Sequence, residues 1–375
     1  MKIAVNTRFL IKNKLEGIGW FTYESLKRIT IDHPEHEFYF FFDRKYDSEF
    51  VFAPNVHPII LFPQARHPLL WYYWFEVAIP RALKKIKPDL FLSTDGYASL
   101  HASCKQVLVI HDLAFEHYRN HVDPSASKYY RHFTPLYARK ADRIATVSEF
   151  TKQDLVKLYQ IPPEKIDVTW NGSNELFHAL NAEEKEKAKK DFANGHSYFV
   201  YAGAIQPRKN VVNLFMAFDE FKKRSGSDMK LIIVGRNWNY KEAMQVHAGM
   251  QFRQDVILHG HMSRKELSRL MGGAFGLVYV SFFEGFGIPI VEAMNCEVPV
   301  ITSNVSSMPE VAGDAALFVD PHSVGDIASK MITLSQNAAL RVQLIDEGKV
   351  QRQKFSWQQT ADRLWKCMMT AMDVR

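Results

Sequence analysis

Short apolar runs alternate with stretches of helical spacing along the whole chain. The runs contain few polar residues, which is typical of parallel strands that are buried on both faces. Stretches of helical spacing lie between them, for example at 21–29 and 149–159. This alternation predicts a doubly wound α/β fold, and two series of runs predict two sheets. The predicted strands are 2–6, 38–42, 89–93, 106–110 and 143–147 in the first series, and 198–202, 230–234, 256–258, 276–280 and 298–301 in the second.

Turn-forming residues divide the two series. Pro162-Pro163 and Asn171-Gly172 lie between them, and an Asn-Gly pair is a strong turn signal. A chain of 375 residues is also long enough for two domains of roughly 100–200 residues each. We therefore expect an N-terminal domain over 1–172 and a C-terminal domain over 173–355, with a ligand cleft at the carboxyl ends of both sheets.

The composition is that of an ordinary globular protein, with 47% hydrophobic and 23% charged residues. It excludes the disordered, collagen-like and coiled-coil classes. The net charge of +6 is spread over both halves, whereas a nucleic-acid-binding surface concentrates its positive charge. Nucleic acid is therefore not expected as a partner. A phosphorylated substrate or an anionic membrane surface agrees with a basic chain.

The cysteines and the N-terminal residues indicate the compartment. Cys104, Cys296 and Cys367 show no metal-binding spacing, which favours reduced thiols. The first residues resemble a strand rather than a signal peptide, and no apolar run reaches the roughly 18 residues of a membrane span. We therefore expect a cytoplasmic protein.

The segment from Ser281 to Met294 carries the most specific pattern of the chain. It follows a predicted strand and contains Gly285 and Gly287, with a proline two residues later. Glycines permit a tight loop with exposed amide groups, and proline suits the first turn of a helix. Such a loop before a helix is suited to bind phosphate. Glu284 and Glu292 are placed to accept hydrogen bonds from sugar hydroxyls, although a plain strand–helix turn with a solvated glutamate explains the same residues.

A second segment, 202–210, follows the first strand of the second series. It contains Arg208 and Lys209, and an arginine fork beside a lysine point charge is suited to clamp a diphosphate. The same cations would stabilise a leaving nucleoside diphosphate as its charge develops. Taken alone, an Arg-Lys pair in a loop is more often solvated surface charge.

Together the two segments resemble the retaining glycosyltransferases of family 4. The resemblance rests on the glycine loop with Glu284 and Glu292 and on the preceding Arg-Lys pair, and it extends along nearly the whole chain. It implies the GT-B fold, in which two Rossmann-like domains face each other across a cleft. The N-terminal domain would bind the acceptor, the C-terminal domain would bind the donor, and a C-terminal helix over 356–375 would pack back on the first domain. Further matching segments are 17–19, 109–112, 146–151, 171–172, 233–235, 258–261, 310–316 and 355–357.

The resemblance also implies roles for single residues. Arg208 and Lys209 correspond to the diphosphate clamp, Glu292 to the ligand of the ribose hydroxyls, and Glu284 to a glutamate near the donor sugar. His111 corresponds to the histidine that faces the donor sugar, although a satisfied core histidine is the alternative. The implied catalytic residues are His111, Glu284, Arg208 and Lys209, and the further donor-binding positions are Gly17, Gly19, Gly203, Gly235, His261, Gly285, Phe286, Gly287, Ile288 and Glu292.

One position departs from the family pattern. Many members carry an arginine directly after the glycine of the first C-terminal strand, where this chain has Ala204. The positive charge comes instead from Arg208 and Lys209, which leaves open which cation contacts which phosphate.

The implied reaction is transfer of a hexose, with retention, from a nucleotide-diphosphate sugar to a glycan or lipid-linked glycan of a cell-surface polysaccharide or lipopolysaccharide. GDP-mannose is favoured as donor, with UDP-sugars next. No Asp-x-Asp pattern follows a predicted strand, so no essential metal or other cofactor is expected. Since no carboxylate stands out as a nucleophile, we favour same-face attack assisted by the leaving phosphate. A sugar-nucleotide epimerase on the same fold and a non-catalytic nucleotide-sugar-binding protein are the alternatives.

The stretch 66–87 combines a cluster of aromatic residues with Arg81, Lys84, Lys85 and Lys87. It is suited to form an amphipathic surface that meets a lipid-linked acceptor at the inner face of the plasma membrane. Relatives that act on lipid-linked glycans often meet the membrane in this way. A buried helix with solvated lysines explains the same pattern.

Overall fold

Two α/β units make up the computed structural model, which describes residues 1–236 and 240–373. The first unit consists of Met1–Gly172 and the C-terminal segment that begins at Ser356, and the second unit is Ser173–Phe355. The last two residues of the predicted C-terminal helix, 374 and 375, lie outside the described residues.

The helices and strands alternate as the apolar runs predict. The strands are β1 Lys2–Asn6, β2 Glu37–Phe42, β3 Val56–Ile60, β4 Leu90–Ser93, β5 Lys105–Ile110, β6 Arg143–Thr146, β7 Ile166–Val168, β8 Tyr198–Ala202, β9 Lys230–Val234, β10 Val256–His259, β11 Gly276–Tyr279, β12 Val300–Ser303 and β13 Ala316–Val319. The helices are α1 Gly17–Asp32, α2 Pro68–Tyr73, α3 Ile79–Ile86, α4 Ala114–His117, α5 Pro124–Lys140, α6 Glu149–Tyr159, α7 Ala182–Ala193, α8 Val211–Ser225, α9 Lys241–Gly249, α10 Arg264–Gly272, α11 Ile288–Asn295, α12 Met308–Ala312, α13 Val324–Gln336, α14 Ala338–Gln351 and α15 Trp357–Asp373.

The first unit contains a parallel sheet in the order β3-β2-β1-β4-β5-β6-β7. From β1 the chain winds outward to β2 and β3, and then returns to build the other half from β4. The winding direction therefore reverses between β1 and β4. Crevices for ligands in doubly wound sheets open at such a reversal, outside the carboxyl ends of the strands.

The second unit contains a parallel sheet in the order β10-β9-β8-β11-β12-β13. Its winding direction reverses between β8 and β11, which are direct neighbours. The predicted Arg-Lys segment follows β8 and the predicted glycine loop follows β11. The topology thus brings together two segments that are far apart in the sequence.

Three observed strands have no counterpart among the predicted ones. β3 and β7 are the edges of the first sheet, and β13 is an edge of the second. β3 (VHPII) and β7 (IDV) lack the uninterrupted apolar run of a central strand, whereas β13 (ALFV) is apolar throughout but has only four residues. β3 also contains Pro58, which is tolerated at an edge because the missing amide costs no central hydrogen bond.

Helix α15 belongs to the first unit, where it packs against α1, β5 and β6. The ring of Trp365 stacks on that of His33 of the segment after α1, at a centroid distance of 3.7 Å. The Thr360 hydroxyl donates to the Trp170 carbonyl. At Gly172 an added Cβ would lie 2.2 Å from the Trp357 amide nitrogen, so the chain leaves the first unit and re-enters it at one crowded point.

The stretch 66–87 forms α2, a π-helical turn over Trp74–Ala78, and α3. Trp74 and Phe75 are fully buried, whereas Leu69 is 76% exposed and Tyr72 and Tyr73 are also exposed. The stretch therefore contributes both to the core of the first unit and to its surface.

Candidate functional site

The central group of the second unit lies at the reversal between β8 and β11. Arg208 and Lys209 form the end of a 3-10 turn after β8, and Glu284 lies in the loop after β11. The Phe282 amide donates to the Arg208 carbonyl at 2.9 Å, which ties the two loops together. The predicted diphosphate clamp and the predicted sugar-facing glutamate are therefore direct neighbours.

Both cations contact the Glu284 carboxylate. Lys209 Nζ lies 2.6 Å from Oε1 and 2.8 Å from Oε2, and Arg208 Nη1 lies 3.2 Å from Oε2. The Tyr279 hydroxyl donates to Oε1 at 2.8 Å, and Arg208 also donates to the Phe283 carbonyl at 2.6 Å. We call Arg208, Lys209 and Glu284 the charged triad.

The two cations keep the Glu284 carboxyl group ionised. Burial alone would raise the pKa of Glu284, but Lys209 and Arg208 outweigh it and lower the pKa to about 2. Two cations and one carboxylate leave a net charge of +1, which is suited to an anion. The sequence interpretation placed Glu284 toward sugar hydroxyls. In the structure its oxygens are engaged with the cations, so its direct effect is to orient them.

The glycine loop leads directly into α11. Gly287 precedes the helix with φ +105°, a backbone conformation that favours glycine, and Pro289 lies in the first turn. The next loop supports it, because Ser306 Oγ accepts a hydrogen bond from the Glu284 amide at 3.1 Å and Ser307 Oγ lies 2.9 Å from both the Glu284 and Phe286 carbonyl oxygens. Gly285, Phe286 and Ile288 belong to this supported turn, and the dipole at the start of α11 favours an anion.

Glu292 is buried in α11 and lies outside the charged triad within the described part of the chain. Burial raises its pKa to about 7, and the charge of Arg264 offsets only part of this. Near neutral pH the carboxyl group is therefore divided between a form that donates a hydrogen bond and a form that only accepts. Contact with a ribose remains a prediction.

Two predicted donor-binding glycines have a packing role. An added Cβ at Gly235 would lie 1.9 Å from the Gly203 carbonyl oxygen, and the Gly203 amide donates to the Val234 carbonyl at 2.9 Å. The loops after β8 and β9 therefore touch through their backbones, which requires glycine at 235. His261 is exposed in the loop between β10 and α10.

In the first unit, His111 follows β5 at the carboxyl edge of the sheet. Its Nε2 lies 2.8 Å from the Thr94 carbonyl oxygen, and its ring meets Phe21 edge-on at a centroid distance of 5.0 Å. Burial lowers the pKa of His111, against weaker opposing effects of Thr94, Asp112 and Asp95. Asp112 Oδ1 accepts from the Ala114 amide at 2.9 Å and so stabilises the start of α4.

Gly17 and Gly19 lie in the first turn of α1. The helix begins at Gly17, so both glycines lie inside α1 and not in the loop before it. An added Cβ at Gly19 would lie 3.0 Å from the Phe9 carbonyl oxygen, whereas Gly17 has open space around it. Close packing accounts for Gly19, and the open space at Gly17 leaves room for a ligand.

Sequence reasoning missed a polar network at the reversal between β1 and β4. Asn6 Nδ2 donates to Ser93 Oγ at 3.0 Å and to Asp95 Oδ1 at 2.8 Å. Arg8 pairs with Asp95 and lies over the Tyr97 ring at 4.2 Å. The sequence contains a signal for this network, because polar residues directly follow both β1 and β4. These residues belong to no known motif. Tyr279, Ser306 and Ser307 were missed in the same way.

Two features are absent from the described residues, 1–236 and 240–373. No group of three or more His, Cys, Asp or Glu side chains is arranged to hold a metal ion. No described helix combines the length and the apolar character needed to cross a membrane.

Comparison with known proteins points to one family along most of the chain. The sequence pattern of "Glycosyl transferases group 1" matches residues 182–351, and that of "Glycosyltransferase Family 4" matches residues 31–175. Each pattern falls within one of the two sheet-containing parts of the chain.

Curated relatives and solved structures agree with these matches. The chain is 29% identical over 373 residues to O-antigen chain mannosyltransferase B of Escherichia coli, which covers 96% of this chain and 97% of the relative. It is 29% identical to the O-antigen chain mannosyltransferase RfbU of Salmonella typhimurium over 72% of each chain. The structure of HepE from Anabaena in complex with UDP and glucose superposes with a TM-score of 0.77 at 15% identity, over 99% of this chain and 100% of that one. With the two parallel sheets, these likenesses confirm the predicted fold of paired Rossmann-like domains.

Proposed function

Since the chain belongs to the group 1 and family 4 glycosyltransferases, we propose that it is a retaining, metal-independent mannosyltransferase that uses GDP-mannose. The charged triad at the glycine loop carries the donor part of this proposal, because it presents net positive charge beside a helix N-terminus. The similarity to two O-antigen chain mannosyltransferases supports mannose as the transferred sugar. The acceptor is a hydroxyl of a lipid-linked glycan in O-antigen-type polysaccharide synthesis.

The donor residues have distinct roles in this proposal. Arg208 and Lys209 bind the diphosphate and stabilise it as it leaves, while Glu284 holds both cations in place. Glu292 binds the ribose hydroxyls. His111 makes a hydrogen bond to a hydroxyl of the sugar that is transferred.

The proposed chemistry needs no protein nucleophile. The bond between the anomeric carbon and the leaving phosphate oxygen breaks, and the acceptor oxygen bonds to the same face of that carbon. The acceptor proton passes to the leaving phosphate. Positive charge on Arg208 and Lys209 lowers the barrier because negative charge on the phosphate grows in the transition state.

A ligand screen with a turnover assay tests the donor. GDP, UDP, ADP and their sugar conjugates are added to the protein with EDTA, and the shift in melting temperature is measured. A ligand at a hundredfold its Kd stabilises a protein by about 2.7 kcal/mol, so we expect a clear shift with GDP and GDP-mannose. We also expect mannose transfer to a lipid-linked glycan extract to continue in EDTA.

The charged triad gives the matched variants for this screen. Lys209→Ala should abolish the GDP shift, and Lys187→Ala, an exposed lysine of α7, should leave it unchanged. A shift in melting temperature with UDP but not with GDP would show that the donor is a UDP-sugar and not GDP-mannose. Loss of turnover in EDTA that Mg²⁺ restores would disprove metal independence.

We also propose that the surface of α2 and α3 contacts anionic lipid next to the acceptor. Leu69, Tyr72 and Tyr73 are exposed on α2, and Lys84 and Lys85 are exposed in the last turn of α3. Exposed apolar side chains beside lysines suit the interface of an anionic bilayer.

Vesicle flotation measures this contact directly. The protein should float with vesicles of anionic phospholipid, and Lys84→Glu with Lys85→Glu should lose most of the bound fraction. Lys187→Glu is the matched control and should float like the natural protein. Equal flotation of all three proteins would favour solvated lysines without a membrane role.

A further inference from the structure

The imidazole of His111 is held in one tautomer. Its Nε2 lies 2.8 Å from the Thr94 carbonyl oxygen, which can only accept a hydrogen bond. Nε2 therefore carries the proton, and in the neutral ring Nδ1 carries the lone pair. Phe21 packs edge-on against the ring and restricts its rotation. The orientation of Nδ1 thus depends on where the Thr94 carbonyl is held.

A buried pair of hydroxyls holds the Thr94 segment. Thr94 Oγ1 lies 2.8 Å from Thr22 Oγ1 of α1 and 3.2 Å from the Asn6 carbonyl oxygen at the end of β1. Thr22 Oγ1 also lies 2.8 Å from the Ile18 carbonyl oxygen. Thr22 is fully buried and Thr94 is 2% exposed. The pair therefore links the backbone of β1, the segment after β4 and the first turn of α1.

The residues on either side of Thr94 are fixed by Asn6 as well. The side-chain amide of Asn6 donates to Ser93 Oγ and to Asp95 Oδ1, and Asp95 in turn pairs with Arg8. Three consecutive residues, Ser93 at the end of β4 and Thr94 and Asp95 after it, are thus hydrogen-bonded to Asn6, the last residue of β1. Buried polar groups cost free energy unless they are satisfied, and each of the two hydroxyls has two oxygen atoms within hydrogen-bond distance. Both hydroxyls are therefore satisfied.

We infer that Thr22 and Thr94 are positioning residues, whose paired hydroxyls hold the Thr94 carbonyl so that His111 keeps its proton on Nε2 and presents Nδ1 as a hydrogen-bond acceptor. The inference extends the proposed function, because the group that His111 would accept from is a hydroxyl of the transferred sugar.

The test combines a spectroscopic readout with kinetics on the full-length protein. Ring ¹⁵N chemical shifts distinguish a protonated from an unprotonated nitrogen, and His111→Asn identifies the His111 signals among the 15 histidines. The natural protein should show protonated Nε2 and unprotonated Nδ1. Thr22→Val and Thr94→Val should show a mixture of both tautomers.

The kinetic arm separates positioning from folding. Thr22→Val and Thr94→Val should lower kcat about tenfold, since a displaced group loses rate steeply, while the KM for the donor changes less than twofold. Thr94→Ser should restore both readouts. Thr30→Val is the matched control, because Thr30 is a buried threonine of the same helix whose hydroxyl donates to the Leu26 carbonyl at 2.8 Å, and it should change neither.

An unchanged His111 spectrum in both valine variants would overturn the inference, as would an equal loss of kcat in Thr30→Val. If Thr94→Val does not fold, Thr22→Val acts on the other end of the pair and decides the result. The spectroscopic arm requires no substrate. Failure of the proposed mannosyl transfer would therefore leave the test of these positioning residues intact.

Discussion

Two glutamates close together in the sequence respond to pH in opposite directions. Glu284 is held ionised by Lys209 and Arg208, whereas Glu292 is buried with only partial compensation from Arg264. The pKa of Glu284 is therefore lowered and that of Glu292 is raised. Their contributions to the free energy of unfolding change over different ranges of pH.

Glu284→Gln should destabilise the second unit by about 3 kcal/mol at pH 7, since it removes the buried carboxylate that pairs with the partly buried Arg208 and Lys209. The folded pKa of about 2 lies below the ordinary value, so this stabilisation is complete above pH 4.5 and is lost as the pH falls toward 2. Urea unfolding at pH 7 and at pH 3.5 measures the difference between variant and natural protein. A difference that stays constant between these pH values would contradict the ion-paired state.

Glu292→Gln should have the opposite pH dependence. The folded pKa of about 7 lies above the ordinary value of 4.5, so the natural protein loses stability as the pH rises from 4.5 to 7, by up to about 3 kcal/mol. The variant lacks this loss, so its free energy of unfolding relative to that of the natural protein should rise between pH 5 and pH 8. Parallel stability curves for the two proteins would show that Glu292 is already ionised at pH 5.

At the scale of elements, the central strands were predictable, whereas three of the four edge strands, β3, β7 and β13, were not. β1, β2, β8 and β9 are apolar runs because neighbours cover them on both sides, which gives them a clear sequence pattern. β7 has only three residues and lies at an edge of its sheet, so its residues give no such pattern. The sequence interpretation was correct where burial dominates the choice of residues.

The site was predictable in part for the same reason. Arg208, Lys209 and Glu284 each follow a recognisable strand, and the family resemblance marks them. Their mutual ion pairs depend on the adjacency of β8 and β11, which the order of elements along the chain does not reveal. Thr22 and Thr94 were missed because they meet only through the fold and belong to no motif.

Gly287→Ala tests the turn that begins α11. A φ of +105° is strained for alanine, at a cost of about 1–3 kcal/mol, and the added methyl would lie 3.2 Å from Ile290 Cδ1. We expect the affinity for nucleoside diphosphate to fall at least tenfold, measured by titration calorimetry. Gly195→Ala is the control, since Gly195 has φ +86° with no heavy atom within 4 Å, and it should lose stability but keep its affinity. If Gly287→Ala bound nucleoside diphosphate as tightly as the natural protein, the turn would not belong to the binding site.

At the scale of the whole molecule, α15 makes the first unit depend on the end of the chain. Leu364 of α15 is fully buried, as is Leu334 of α13 in the second unit. Replacing either by alanine should cost about 2–5 kcal/mol. Leu364→Ala should accelerate amide hydrogen exchange in α1, β5 and β6, and Leu334→Ala should accelerate it in α8 and β11, as followed by mass spectrometry. Faster exchange in both units for either variant would show that they unfold together.

The return of α15 to the first unit also sets an order of events during synthesis on the ribosome. The residues of β1–β7 emerge first, but the surface that α15 covers stays bare until residues 356–373 have been translated. By then every residue of the second unit, Ser173–Phe355, has already been translated. The first unit is therefore completed only after the second unit has been translated, and a nascent chain must keep the apolar partners of Leu364 from aggregating until α15 arrives.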